Sequence, residues 1–226
     1  MPDPAAFVLD FNGTVSDDEH LLEEIYRELF AGIGVELTPD RYQREFAGLS
    51  DPAIVARGLE LAGRTDEAGL RERLTAGYTT RYLERVRARS PITQGAIDFV
   101  RAIAARVPVA IASGATRETI EASLEQSGLR TLFTAIVTSE DVAHGKPDPE
   151  PYLRALALLD AAGAPGAPYA PETVWAVEDA TVGVLAARAA GMRVVALRNP
   201  AYDPARAPAD LVADRLDDAL AAQLLR

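Results

Sequence analysis

Cysteine is absent from the 226 residues, which excludes disulfides, thiolate metal ligands and a cysteine nucleophile. Histidine occurs only at His20 and His144, so a transition-metal site built on imidazole has little to draw on. No apolar run reaches the roughly 18 to 20 residues that a bilayer crossing needs. The longest uncharged stretches, such as Ala161 to Pro171, are broken by Pro and Gly, and that segment reads as a surface loop. Met1-Pro2-Asp3-Pro4 lacks the basic and apolar regions of a secretory signal, so a reducing cytoplasm is the expected location. Positive charge is also scarce. With 23 basic against 34 acidic residues the net charge is -11, a field that repels nucleic acid and anionic membranes, and an anionic ligand must be met by local groups. Neither partner class is expected, and a monomer is the default. Lysine is scarcest of all: Lys146 is the single lysine, the other 22 basic residues being Arg. Either an Arg-rich composition left one lysine, or this position requires a compact point charge that a planar guanidinium cannot replace.

With 48% hydrophobic and 25% charged residues, the chain can bury a full core and has room for one domain plus a smaller insertion. Short apolar runs at Ala5–Asp10, Val107–Ala112, Ala135–Val137, Val174–Val177 and Arg193–Leu197 each end in polar residues. Helical patterns lie between them: Ala96, Ile97, Val100, Ile103 and Ala104; Ile120 and Leu124; Tyr152, Leu153, Leu156 and Leu159; Val184, Leu185 and Ala189. This alternation predicts an α/β fold with a doubly wound parallel sheet covered on both faces, whose ligands bind beyond the carboxyl ends of the strands. Residues 16–90 show no convincing strand and read as an inserted helical domain, leaving 1–15 and 91–226 as the core domain. Leu22, Ile25, Leu29 and Ile33 form one apolar stripe of the insertion, and Leu70, Leu74 and Tyr78 another. Helices are expected to start at Thr38-Pro39 and Asp51-Pro52. Arg81, Arg85, Arg87 and Arg89 read as a solvated helix face, with steering of an anion as the alternative.

The polar strand ends supply Asp10, Ser113 and the pair Glu178-Asp179, with Lys146 in the loop after the third strand. Three acids in one crevice are costly unless a dication neutralises them. Mg²⁺ suits an all-oxygen donor set. Lys146 and the Ser113 hydroxyl can then hold an anion beside the metal, most naturally a phosphoryl group. Asp10 would be the nucleophile, with Mg²⁺ and lysine removing the like-charge repulsion of its attack. Read separately, Asp10 is a turn former and Glu178-Asp179 a helix N-cap pair; spacing alone names no reaction.

Four segments in order resemble the motifs of the haloacid dehalogenase superfamily, in its capped phosphatase and β-phosphoglucomutase-like branch. They are Asp10-Phe11-Asn12-Gly13-Thr14, Ile111-Ala112-Ser113-Gly114, Gly145-Lys146-Pro147-Asp148-Pro149, and Val177-Glu178-Asp179-Ala180 with Gly183. Ala47-Gly48-Leu49-Ser50 resembles the cap loop that reaches toward substrate, and Thr138-Ser139-Glu140-Asp141-Val142 the run before the lysine. The resemblance implies a Rossmann-like core with a helical cap and a Mg²⁺-dependent phosphatase acting through an aspartyl-phosphate on a small phosphorylated metabolite. It implies Mg²⁺ on the Asp10 carboxylate, the Asn12 carbonyl and Asp179, assisted by Glu178. Ser113 and Lys146 would bind phosphoryl oxygens, while Gly114 to Arg117 and Gly48 to Ser50 would line the substrate side.

The chain departs from this pattern at Asn12, where such phosphatases carry a second Asp that protonates the leaving alkoxide and then activates water. An amide does neither. His20, Asp18 and Glu19 are candidates to take that role, although residues 17–20 also read as a capped first helical turn. His144 reads as a loop residue. The alternatives are a phosphometabolite-binding protein with little or no turnover, a β-phosphoglucomutase-like phosphotransferase, and an engineered trap at Asn12. Asp51 stands where mutase-like members often carry an Arg for a second phosphate, which weakens the mutase reading. The cap has no lysine for Schiff-base phosphonate cleavage, and the intact Glu178-Asp179 pair argues against dehalogenation.

Overall fold

The computed structural model describes residues 4–65, 67, 69–163 and 165–226. The opening tripeptide and residues 66, 68 and 164 lie outside it, so the signal-peptide reading at the amino end is not tested, nor is residue 164 of the 161–171 loop. Five strands fall where the apolar runs predict: β1 (Ala6–Leu9), β2 (Val109–Ala112), β3 (Ala135–Val137), β4 (Val174–Glu178) and β5 (Arg193–Leu197). A sixth, β6 (Leu211–Ala213), was not expected. It is a three-residue edge strand and only partly buried, an apolar triplet set closely between Asp210 and Asp214.

All neighbouring strands pair in parallel, in the order β3-β2-β1-β4-β5-β6. The chain winds outward from β1 through β2 to β3, then returns to place β4 on the other side of β1. A crevice therefore opens at the carboxyl ends of β1 and β4, where the winding reverses. Helices α5 (Gln94–Ala104), α6 (Arg117–Ser127) and α9 (Asp218–Leu224) cover one face through Phe99, Val100, Ile120 and Leu220. Helices α7 (Glu150–Ala161) and α8 (Thr181–Ala189) cover the other through Tyr152, Leu159, Val184 and Ala187. Leu153 and Leu185, counted inward by their apolar character, are 45% and 37% exposed. Ala155, Ala186 and Ala187 take the inward positions, because small side chains let a helix lie close on the sheet.

Between β1 and α5 the chain forms four helices, α1 (Glu19–Ala31), α2 (Pro39–Glu45), α3 (Asp51–Ala62) and α4 (Leu70–Ala88). They enclose an apolar cluster of their own, running from Leu21 to Val86 and rich in stacked rings such as Tyr26 on Tyr78. Ile33 lies beyond the end of α1 and is only partly buried. Thr38 caps α2 as predicted, accepting from the Arg41 amide. Asp51 does not cap α3. Ser50 holds that position, and the Asp51 carboxylate accepts from the Tyr26 hydroxyl (3.0 Å) and the Thr116 amide at the start of α6 (3.3 Å). The arginine face is solvated and ion-paired, Arg81 and Arg85 reaching Glu24 and Glu28. The two crossings between sheet and helices run side by side, the Asp17 amide donating to the Pro91 carbonyl at 3.0 Å. Among the described residues no helix is long and apolar enough to cross a membrane.

Candidate active site

Asp10 follows β1 directly, and Glu178 and Asp179 sit at the end of β4, so adjacent parallel strands bring three carboxylates to one edge. Each offers an oxygen within 4.8 Å of the others, and all three residues are buried. Two glycines make this possible. A Cβ on Gly13 would lie 2.0 Å from Asp179 Oδ2, in a backbone with φ +75°, and one on Gly183 would lie 2.0 Å from the Glu178 carboxylate.

Lys146, from the loop between β3 and α7, donates from Nζ to Asp10 Oδ1 and to Glu178 Oε1, both at 2.5 Å. Its ammonium also lies over the Tyr152 ring, 5.4 Å from the centroid. Burial opposes the charge on Lys146, but the two carboxylates outweigh it and push the pKa up. Three acids and one ammonium leave two negative charges in a buried crevice. Burial, with the Glu178 charge beside it, raises Asp10 to about 7 despite Lys146, and burial with Asp10 and Glu178 raises Asp179 well above the carboxylate range. A hard dication is what such a donor set fits: oxygens only, convergent, and short of two positive charges.

The structure adds partners that the motifs did not announce. Tyr152 donates to Glu178 Oε1 at 2.5 Å, Asn199 Nδ2 to Asp179 Oδ2 at 2.8 Å, and Thr14 lies 3.4 Å from Asp179 Oδ1. Asn199 was visible as the polar end of the last predicted strand, but only its neighbour in space reveals its use. Tyr152 was read as core, and it is core on its ring side.

Asp10, Asn12, Ser113, Gly114, Lys146, Glu178 and Asp179 line one cavity of about 160 Å³ together with Gly48 and Ser50. The 48–50 loop closes against the sheet edge. Added Cβ atoms would meet Ala180 at 2.9 Å from Gly48 and Ser50 at 2.8 Å from Gly114, and the Asp51 amide donates to the Gly114 carbonyl at 3.0 Å. Arg117, grouped with the substrate side by resemblance, does not join them. Its guanidinium turns to Asp141 (2.6 Å) and the Ile136 carbonyl, because the start of α6 faces the β3 loop and Asp141 neutralises it there. His20 is exposed and outside the cavity lining, on the solvent side of the first turn of α1. His144 is a loop residue whose Nδ1 lies 3.1 Å from Glu150 Oε2.

The Asn12 amide donates to Asp18 Oδ2 at 2.9 Å. The same oxygen accepts from Ser16 and Tyr82, each at 2.6 Å, while Asp18 Oδ1 has no partner among the described residues. Burial raises Asp18 to about 6 against those donors. Two further acids, Glu19 and Asp51, line the cavity on the helical side beside Tyr42. Burial is the main cause that lifts both to about 7. Lys146 is the single cation among the described lining residues.

Residues 4–191 match the family described as haloacid dehalogenase-like hydrolase. The chain is 29% identical over 207 residues to validoxylamine A 7'-phosphate phosphatase of Streptomyces hygroscopicus subsp. limoneus, covering 91% of each chain. It is 30% identical over 223 residues to a plasmid-encoded phosphoglycolate phosphatase of Cupriavidus necator, covering 96% of this chain and 90% of that one. The fold superposes on CbbY from Rhodobacter sphaeroides in complex with phosphate with a TM-score of 0.80 at 24% identity, over 95% and 96% of the two chains.

Proposed function

Since the chain belongs to the haloacid dehalogenase-like hydrolases and its relatives are phosphatases, we propose that it is a Mg²⁺-dependent phosphatase of small phosphorylated metabolites, working through Asp10. The observation that carries this reading is the Lys146 ammonium at 2.5 Å from both Asp10 and Glu178, beside the three-carboxylate cluster. Asp10, Asp179 and the Asn12 carbonyl would hold the metal, with Glu178 assisting. The ion would supply charge neutralisation for attack on an anion and stabilise the transferring oxygens.

In this reading Asp10 displaces the leaving oxygen and forms an aspartyl-phosphate, which water then cleaves. Lys146 and the Ser113 hydroxyl hold the phosphoryl oxygens. Helices α1 to α4, residues 16–90 with their linkers, act as a cap over the core formed by 1–15 and 91–226. The cap loop from Gly48 to Ser50 excludes water from the crevice, which strengthens every charge interaction inside it. Two acids lining the cap side, the buried Asp51 and the half-buried Glu19, and no described cation there, favour monophosphates over sugar bisphosphates and disfavour a mutase.

The test is phosphate release from a panel of alkyl, aryl and acyl phosphates, with Mg²⁺ and after chelation. Release that requires Mg²⁺ and is lost in Asp10→Asn is the expected result; no release from any ester overturns the reading. A second reading, a phosphometabolite-binding protein with little turnover, is favoured by the commitment of the Asn12 amide to Asp18. Calorimetric titration with a phosphometabolite that binds tightly and is not hydrolysed would select it.

A further inference from the structure

The departure at Asn12 leaves the reaction without a group to move the leaving-group proton, and the cavity offers few replacements. Asp18 is fully buried, outside the cavity lining, and holds the Asn12 amide. His20 faces solvent. Asp51 lines the cavity, but each of its oxygens accepts a hydrogen bond, from Tyr26 and from the Thr116 amide. Glu19 differs from all three. It sits in the first turn of α1, lines the same cavity as Asp10 and Asn12, and is held through Oε2 by the Tyr42 hydroxyl at 3.3 Å. Its Oε1 accepts nothing from any described residue.

We propose that Glu19 is the catalytic acid and base of this enzyme, carrying the proton that the amide of Asn12 cannot. This rests on the phosphatase reading above. As an Asp10 oxygen bonds to phosphorus and the bond from phosphorus to the leaving oxygen breaks, the Glu19 carboxyl gives its proton to that oxygen, releasing the alcohol and leaving a carboxylate. Water then attacks the aspartyl-phosphate. Glu19 takes the water's proton, the bond from phosphorus to Asp10 breaks, and inorganic phosphate leaves with Asp10 again a carboxylate. No further reactant is needed.

The groups facing Glu19 suit the protonated state it starts from. Asp18 precedes it on the chain, Asp10 and Asp179 face it from the sheet edge, Asp51 from α3 and Tyr42 from α2. Burial and the neighbouring acids raise it to about 7, and the Tyr42 hydroxyl opposes them.

The experiment measures cleavage of a series of monophosphates of rising leaving-group pKa, from p-nitrophenyl phosphate to glycerol phosphate. The parent chain, Glu19→Gln, Asn12→Asp and the double variant are compared, each checked for folding by its melting curve. Glu19→Gln should lose at least about 10²-fold on the alkyl ester and show a steeper dependence on leaving-group pKa. Its first-turnover burst of p-nitrophenol should stay within about threefold of the parent, since that leaving group needs no proton. Adding Asn12→Asp to Glu19→Gln should restore alkyl cleavage. Equal loss on every ester, or none, overturns the proposal, as does a parent chain inactive on alkyl esters while Asn12→Asp cleaves them. If neither the parent nor Asn12→Asp releases phosphate from any ester, the phosphatase reading itself fails. Should Glu19→Gln not fold, Tyr42→Phe decides: loss of the hydroxyl moves the alkaline limb of the alkyl-ester pH profile upward, and an unmoved limb overturns the proposal.

Discussion

Two residues stand apart at the smallest scale, and their different legibility has a physical cause. Lys146 drew notice by rarity, and its position on two carboxylates explains why arginine would not serve: a planar fork cannot sit as a point charge between Asp10 Oδ1 and Glu178 Oε1. Lys146→Met leaves the buried acids without their cation. Breaking a buried pair costs about 3 to 5 kcal/mol, so chemical denaturation of the metal-free variant should show a loss of that order, and phosphate release should fall at least about 10²-fold. Asn12 is legible only as a departure from a pattern; that its amide is bound to Asp18 is not. Asn12→Asp places a carboxyl where the amide now lies 2.9 Å from Asp18 Oδ2. Two acids that close retain one proton between them at neutral pH. With Glu19 in place, steady-state assays on alkyl phosphates should put Asn12→Asp within about threefold of the parent, and a gain of about tenfold or more would mean that the existing acid does not suffice.

At the scale of elements, strand ends and loops meet because parallel strands of one sheet all finish on the same edge. The five apolar runs were sufficient to predict that convergence. That the segment between β1 and α5 is helical was also legible, yet the contacts of its helices were not. Asp51, whose sequence context is a helix start, ties α3 to α1 and to the start of α6 instead. The loop before α3 depends on Gly48, whose φ of +81° and close approach to Ala180 and Val182 leave no space for a side chain. Gly48→Ala should lift this loop from the sheet edge. Misplacement of about 1 Å costs up to about 10²-fold, so kcat/KM should fall toward that value. A drop in melting temperature with unchanged kinetics would show that the loop serves packing alone.

For the molecule as a whole, four acids set the response to pH, three of them buried and Glu19 half-buried. Asp10, Asp18, Glu19 and Asp51 titrate at about 6 to 7 in the folded chain, raised by burial above the ordinary 3.8 to 4.5. A raised carboxyl binds more protons folded than unfolded, so stability falls as pH rises from about 4 through the folded pKa values. Glu45, Asp141 and Asp217 are lowered and act oppositely, below pH 4. One pKa unit corresponds to about 1.4 kcal/mol, or about 3 to 6 °C in a chain of this size. The metal-free melting temperature should therefore drop by at least that much between pH 5 and pH 8. Mg²⁺ should recover part of the loss at pH 8 by neutralising Asp10 and Asp179. A midpoint that rises over this range, or is indifferent to Mg²⁺, would contradict the charge account.

Local chemistry in the chain determined the strands and most helices and marked Asp10, Glu178 and Asp179 as polar strand ends and Lys146 as the lone lysine, because apolar periodicity, polar strand ends and rarity are read from the chain itself. Only the folded chain decided that Tyr152 and Asn199 hold the acids, that Arg117 turns away, and that Glu19 reaches the cavity while His20 does not. Those outcomes depend on which way a side chain leaves its helix and on what lies opposite it from a distant segment. No local pattern encodes the far partner.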